Sequence, residues 1–517
     1  MRQFLIIISL LFVVTLASVQ AQANPVTVWV PLVQAPPPTV AGYLGSAQDD
    51  RLVAVGFTPA GALVLAGNVP VLADAPETIV PEGGAGALIQ IAADGRTISR
   101  VVRVAATLNH AALAADGSAV ACGPDGVIVL EPDLVTVRWR ATPGAIARCA
   151  IGADGRVAAL RAVDRTVLVY PPAGGSPLAI VVAGTAVADI ALDTANGLLV
   201  ATGYTQAASD LKVAFLRAYR LVDGSVAWQR YGFSDAAVKG ANLAADSEGR
   251  HLALGADGLL YFAGFTDGGN SIFGRDPADL NRVLSASELI KFDQYNNPFN
   301  LSGAKSLAWY GRFDPATGTL LRGQWLLTRL SNGKGNSIKI QALTAAADGT
   351  LLVVGDTACC LQGRSAMQLF GQTLGNYESG EPFALVVSPD FGQRRLWTAL
   401  AAPGATAGSS PAIAAALTND RLVLVVNVTP NPANTRALVT VGNPVFAASN
   451  GGSEGYYLLM ARLDMGVMLL VGGSLHLVFQ QSLAAVNMWS AAAALPHSIS
   501  TGAPAMLGSW YDTIESL

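Results

Sequence analysis

The side chains able to do chemistry are few and far apart in this 517-residue sequence, which holds four cysteines and four histidines. Cys122 and Cys149 occupy matching parts of consecutive repeat units, one late in SAVAC and one early in AIARC. In an oxidising compartment they are candidates for a disulfide between neighbouring units; as thiols they would be two small buried side chains. Cys359 and Cys360 are adjacent, in GDTACCLQGR. They fit a vicinal disulfide in a surface loop, or one partner of a longer bridge. The spacings contain no C-x-x-C and no C-x-x-C-H, which excludes zinc ribbons and c-type haem attachment. His110, His251, His476 and His497 have no histidine partner at i+2 or i+4, so only the fold could gather them. There is no G-x-S-x-G, no phosphate-binding Walker sequence and no D-x-[DN]-x-[DN]-G calcium loop. No catalytic residue and no metal ligand is assigned from the sequence.

Two polar segments rich in aromatic residues are the candidate binding elements. The first, Gly268–Ser306, interrupts a repeat unit and carries Phe273, Phe292, Tyr295, Asn297 and Phe299; its ADLNRVLSASELI stretch fits a short helix. The second, Gly363–Gly380, carries Phe370 and Tyr377. Aromatic rings among Asn, Gln and Asp suit contact with a sugar or a protein surface, and long loops are where binding residues concentrate. The alternative is that such a segment folds back to cap a blade edge. The two make a site only if they lie on the same side of the fold.

The elements that must position these groups are strands. Asp-Gly occurs eight times, five times as Ala-Asp-Gly (Ala93, Ala115, Ala153, Ala256 and Ala347 precede it). Asp-Gly between alternating apolar runs is a tight-hairpin signal, because the primed turn needs positive φ. Degenerate versions are read at Asn196-Gly197, Glu248-Gly249 and Asn419-Asp420. Each unit pairs an inner hairpin of small residues with a longer amphipathic outer one, the outer ones beginning at Ala87, Val127, Val167, Ala214, Leu307, Phe383 and Tyr456. Seven such units predict an all-β fold, a β-propeller of seven four-stranded blades, with six or eight as the margin. One or two β-sandwiches would not need the unit to recur so often. Small residues suit strands crowded around an axis, and this leans toward a channel lined by Ala, Val and Gly.

The ends read differently. Met1-Arg2, the apolar run Phe4–Ala17 and Ala21-Gln22-Ala23 have the layout of a secretory signal peptide over residues 1–23. Residues 24–40 form a Pro-rich arm containing a Val26–Val33 strand candidate, and 41–474 the propeller. Residues 475–517 form an uncharged tail. Of the tail region, MGVMLLV from Met465 is read as the last outer strand, SLAAVNMWSAAAALPHS as a short helix, and ring closure is expected from the tail or from Val26–Val33. No transmembrane span is expected once the signal is removed. Formal net charge is −4 (Lys+Arg 32, Asp+Glu 36), with 51% hydrophobic and 13% charged residues. Such a chain lacks the basic surplus of a nucleic-acid binder and the polarity of a disordered one.

Phe313-Asp314-Pro315-Ala316-Thr317-Gly318, followed by Trp325, resembles the D-x-x-T-G…W repeat of pyrroloquinoline-quinone-type (PQQ-like) propellers. Looser copies are Leu221–Trp228 and Ser388–Gly392 with Trp397. Val200–Thr205 and Tyr261–Asp267 resemble the Y-V-A-G-x-T pattern of secreted bacterial propellers. The resemblance spans residues 40–475 as architecture. It implies that the Trp packs between neighbouring blades. In the quinone-dependent members an adjacent-cysteine disulfide stacks on the cofactor, which would place PQQ with calcium near Cys359-Cys360; the Glu, Asn and Asp ligands of that calcium have no matching motif here.

The sequence therefore supports an exported, non-catalytic binding or scaffold propeller with a protein or glycan partner at the cell surface and no cofactor. The alternative is an exported enzyme with its site at the central channel, a quinone-dependent oxidoreductase or a hydrolase. Oligomeric state is left open.

Overall fold

A computed structural model of the chain describes residues 40–44, 48–72, 75–80, 83–268, 272–291, 306–330, 335–359, 361–376, 380–402, 410–428, 438–440, 455–462, 467–471 and 474–478. Seven sheets of four antiparallel strands are present, two of them with a fifth, parallel strand added at the outer edge, and their innermost strands touch in a closed cycle. Those innermost strands are Arg51–Phe57, His110–Leu113, Arg148–Ile151, Ala186–Asp193, Ser247–Leu254, Ile338–Ala345 and Ala412–Leu417, for blades 1 to 7 in chain order. The fold is a seven-bladed β-propeller.

The hairpin reading holds for most of the chain. The outer pairs Gly86–Ile91/Ile98–Ala105, Gly126–Leu130/Val137–Ala141, Thr166–Tyr170/Leu178–Val181, Leu211–Arg220/Val226–Tyr231, Leu307–Asp314/Thr319–Leu326 and Glu381–Val387/Arg394–Ala399 lie where the amphipathic segments predict them. Blade 7 departs from that reading. Its third strand is Gly455–Arg462, and its outermost strand is Val40–Leu44, brought from the other end of the chain. Closure therefore comes neither from the tail nor from Val26–Val33, which lies outside the described residues. The MGVMLLV segment is not the outer strand: Val467–Val471 pairs with Ser474–Val478 in a separate hairpin. Two smaller expectations also fail. Glu248-Gly249 is not a turn but lies inside the strand Ser247–Leu254. The ADLNRVLSASELI segment forms turns and a two-residue strand, while the one α-helix among the described residues is Asp235–Gly240, capped by Ser234.

A device recurs around the axis. In blades 1, 4, 5, 6 and 7 the innermost strand carries a bulge: Val53, Ala188, Arg250, Gln341 and Ile413 have no opposite residue on the second strand. In four of these, a glycine of the second strand faces the distortion (Gly67, Gly203, Gly264, Gly355), and a Cβ there would overlap the carbonyl oxygen of Arg51, Ala186, Glu248 or Lys339. This close approach explains the glycine of Thr202-Gly203-Tyr204-Thr205, Ala263-Gly264-Phe265-Thr266 and Val354-Gly355-Asp356-Thr357, and that of Ala66-Gly67-Asn68-Val69 in blade 1.

Blade seams are joined by a second device. Trp139 Nε1 donates to the Pro172 carbonyl and Trp228 Nε1 to that of Pro315, both 2.9 Å, so each tryptophan docks on the outer turn of the next blade. Gly174 and Gly318, both at positive φ, make room for these rings. Trp228 thus meets the Asp314–Gly318 turn as the repeat resemblance implies. Trp325 and Trp397 pack on Phe273 and Phe383 of their own blades.

Candidate functional site

Among the described residues, two places gather functional groups: the inner ends of the seams between blades 2 and 5, and the rim above blades 5 and 6. At the first, the innermost strands bring together His110, Arg148, Asp189 and His251, one from each of four successive blades. Asp189 Oδ1 accepts from its neighbour's N–H of Ile190 (2.9 Å), and Oδ2 from the N–H of Leu252 on blade 5 (3.0 Å). Arg148 Nε lies 3.9 Å from Oδ1 and His251 Nδ1 3.8 Å from Oδ2. His110 Nδ1 lies 3.0 Å from the Cys149 carbonyl oxygen, across the seam between blades 2 and 3.

Burial governs the charges. It pushes the Asp189 carboxyl up to about 6, although Arg148 and the two N–H groups pull the other way. It drives His110 and His251 down to about 3, helped by the positive Arg148, so both imidazoles are neutral at pH 7. Arg148 keeps 34% of its side chain exposed. The node can therefore accept and donate hydrogen bonds, hold an anionic group through Arg148, and exchange a proton at Asp189 near pH 6. A channel lined only by Ala, Val and Gly is not what is found. The signal was present in the repeat: His110, Arg148 and His251 each stand six residues before the Asp of an Ala-Asp-Gly turn. Superposing the repeats exposes them, whereas reading each histidine alone does not.

The rim is built from connections between second and third strands. In blade 5 the segment after Leu260–Thr266 turns through Ile272–Gly274 and returns as Leu289–Ile290, a fifth strand parallel to Thr319–Leu326. Blade 1 does the same with Glu77–Ile79 against Ile98–Ala105, pinned by Glu77 on Arg103. Both additions cover an outer edge that would otherwise be open for pairing. Phe273 is fully buried, stacked on Trp309 at 5.2 Å and edge-on to Tyr231 at 5.1 Å. It anchors the insertion and is no ligand contact. Arg282 forks onto Glu288 (2.8 and 2.9 Å) and also binds Asp276, which fixes the fold-back. Phe292, Tyr295, Asn297, Phe299 and Tyr377 lie outside the described residues.

In blade 6, Arg364 is the fastener. Its Nε reaches both oxygens of Glu381 (2.9 and 3.1 Å), and its two terminal nitrogens donate to the carbonyls of Gly375 and Ala401. Both partners are almost completely buried, and burial pushes the Glu381 carboxyl up to about 7 against the pull of the guanidinium. Above this pair a small hairpin, Gln368–Leu369 with Gln372–Thr373, turns at Phe370 and Gly371, whose φ values are 52° and 77°. Phe370 is half-buried, and positive φ is costly for so bulky a residue. Neither Arg364 nor Glu381 was singled out by sequence, since nothing local marks two charges seventeen positions apart as partners.

Cys122 and Cys149 form a disulfide with Cα atoms 6.3 Å apart, linking blade 2 to blade 3. Cys359 is also disulfide-bonded, and Cys360 lies outside the described residues. Among the described residues the one group of three candidate metal-ligating side chains is His110, Cys122 and Cys149.

No protein-family profile matches the sequence, and no curated protein matches it. Among solved structures, a chain from the crystal structure of the mitotic checkpoint complex is similar at a TM-score of 0.42 and 8% identity, covering 78% of this chain and 96% of that one. At that level the likeness carries no functional argument, and the propeller assignment rests on strand pairing.

Proposed function

We propose that the protein is an exported, PQQ-like propeller that acts as a binding or scaffold module, engaging a protein or glycan at the cell surface through the rim of blades 5 and 6. The observation that carries this reading is topological. Both insertions join the second to the third strand of their blades, and the blades are neighbours. Connections of that type emerge on one side of a propeller, so the two segments share a rim. Phe370, a partly exposed ring held at positive φ there, is the kind of backbone outlier that accumulates at functional sites. Export is supported by the signal-peptide layout of residues 1–23 and by the disulfide.

A second reading, an exported enzyme working at the channel, is favoured by the Asp189–Arg148–His251 node. One set of proteins separates the two. The full chain is expressed with its leader, and mass spectrometry of the exported form is expected to give Asn24 as the first residue. The purified protein is then tested against glycan arrays and cell-envelope fractions, beside Phe370→Asn, a replacement of 292–305 by a Gly-Ser linker, and Asp189→Asn. The rim reading expects both rim variants to lose binding and Asp189→Asn to keep it. Binding untouched by both rim variants overturns it. Hydrolytic turnover of an envelope substrate that Asp189→Asn abolishes establishes the channel reading instead.

A further inference from the structure

The structure assigns a latent metal site to the seam between blades 2 and 3: once the Cys122–Cys149 disulfide is reduced, we propose that both sulfurs and His110 bind one thiophilic divalent cation such as Zn²⁺. The three ligand atoms, His110 Nδ1 and the two Sγ atoms, all lie within 4.8 Å of one another, and Nδ1 is 4.0 Å from the Cys149 Sγ. A tetrahedral zinc with bonds of about 2.3 Å to sulfur and about 2.0 Å to nitrogen holds its ligand atoms roughly 3.5–3.8 Å apart. The Nδ1–Cys149 Sγ separation is within about half an ångström of that, Nδ1 and the Cys122 Sγ need a small side-chain adjustment at most, and the two sulfurs must separate when their bond is cut.

The strands hold the ligands in place from three directions. His110 starts the innermost strand of blade 2, and Cys122 is its direct partner on the second strand. Cys149 lies on the innermost strand of blade 3, paired with Ala159. The cysteines are buried, and both sulfurs also lie near the His110 carbonyl oxygen, at 3.6 and 3.7 Å. Two thiolates and one divalent cation sum to zero charge, which an interior site tolerates far better than a lone ion. A neutral imidazole completes the set without adding charge, and the donors are the soft ones zinc selects. Arg148, next to Cys149, opposes a cation, but Asp189 stands 3.9 Å from that guanidinium and offsets it.

The chemistry balances as two steps. A phosphine and one water reduce the disulfide, giving two thiols and a phosphine oxide. Zn²⁺ then displaces one proton from each thiol, and two protons are released per metal bound. Nδ1 gives up its contact with the Cys149 carbonyl and takes the metal, its ring proton moving to Nε2. The seam is thus held by a disulfide when oxidised and by a metal when reduced.

The test uses the full chain with Cys359→Ser and Cys360→Ser, so that the adjacent pair contributes no thiols. After anaerobic phosphine treatment and removal of excess reductant, Co²⁺ is titrated as a spectroscopic stand-in and then displaced by Zn²⁺. One equivalent of cobalt with a thiolate-to-cobalt charge-transfer band is expected in the reduced protein and none in the oxidised one. His110→Gln is expected to weaken binding about tenfold or more. X-ray absorption of the zinc form of the parent, which depends on no further variant, is expected to show two sulfur neighbours and at least one nitrogen. A reduced protein without the cobalt band, an affinity unchanged in correctly folded His110→Gln, or a zinc shell lacking nitrogen each overturns the assignment.

Discussion

The side-chain amide of Asn427 clasps Leu52 by both of that residue's backbone groups: the Leu52 N–H donates to Oδ1 and Nδ2 donates to the Leu52 carbonyl, each at 3.1 Å. The clasp joins the second strand of blade 7 to the first strand of blade 1, so it spans the point where the ring closes. Asn68 makes the same pair of bonds to Leu108 between blades 1 and 2. Asn427→Ala leaves two backbone groups at the seam without partners. The expected loss is about 1–3 kcal/mol, read as a lower midpoint in urea unfolding. An unchanged midpoint would show that strand exchange alone closes the ring.

The bulge glycines give a sharper contrast. At Gly355 an added Cβ meets the Lys339 carbonyl oxygen, a backbone atom that cannot turn aside. Gly355→Ala is expected to destabilise by about 3 kcal/mol, the scale of an overpacked core. Gly240, in the Asp235–Gly240 helix, has open space around it and ordinary φ. Gly240→Ala is expected to be neutral or to stabilise by up to about 1 kcal/mol. Calorimetric melting should fall for Gly355→Ala and stay level or rise for Gly240→Ala, and equal shifts would sink the bulge explanation.

Removing Arg364 takes the guanidinium from a buried carboxylate and from the carbonyls of Gly375 and Ala401. Arg364→Met is expected to cost about 3–5 kcal/mol, whereas Arg364→Met with Glu381→Gln should recover part of that. Limited proteolysis should reveal new cleavage within 361–376 in the single variant first. Wild-type resistance in Arg364→Met would mean that packing, not the pair, holds the hairpin.

Asp189 and His251 should respond to pH with opposite signs. The folded pKa of His251 is lowered from 6.5 to about 3, so its contribution is complete above pH 6.5 and is lost as pH falls from there toward 3. The slope is about 1.4 kcal/mol per pH unit. The folded pKa of Asp189 is raised from 3.8 to about 6, so its contribution is complete below 3.8 and is lost as pH rises through 6. Relative to the parent, His251→Gln should therefore gain stability as pH falls from 6.5 to 4, and Asp189→Asn as pH rises from 4 to 6. Denaturant midpoints across that range check both; parallel curves would remove the buried-node account.

The blades were legible because hairpins are local. Ala153-Asp154-Gly155 and its relatives specify a turn within a few residues, and alternation specifies the flanking strands. Pairings that depend on the finished ring left no local trace. Val40–Leu44 resembles any short apolar strand, and only the empty edge of blade 7 selects it. The same holds for the candidate sites. Cys122 and Cys149 were legible as candidate partners because they fall in consecutive units, although one lies on a second strand and the other on an innermost strand, whereas the grouping of Arg148 with Asp189 arises from blade order. Phe273 was misread because a ring in a polar insertion looks exposed until Trp309 and Tyr231 are seen to enclose it.

The exchange of the strand Val40–Leu44 into blade 7 has a consequence for how the molecule is made. A chain leaving the ribosome, or threading a translocon, delivers this strand before any other part of the propeller and its partner Gly455–Arg462 after nearly all of it. The earliest piece must therefore wait, unpaired, while six blades assemble. The final assembly event is a loop closure of nearly the whole chain, slow for entropic reasons. Until it happens the blade 7 edge and the waiting strand are complementary sticky ends, and two half-finished molecules side by side would find in each other what each still lacks.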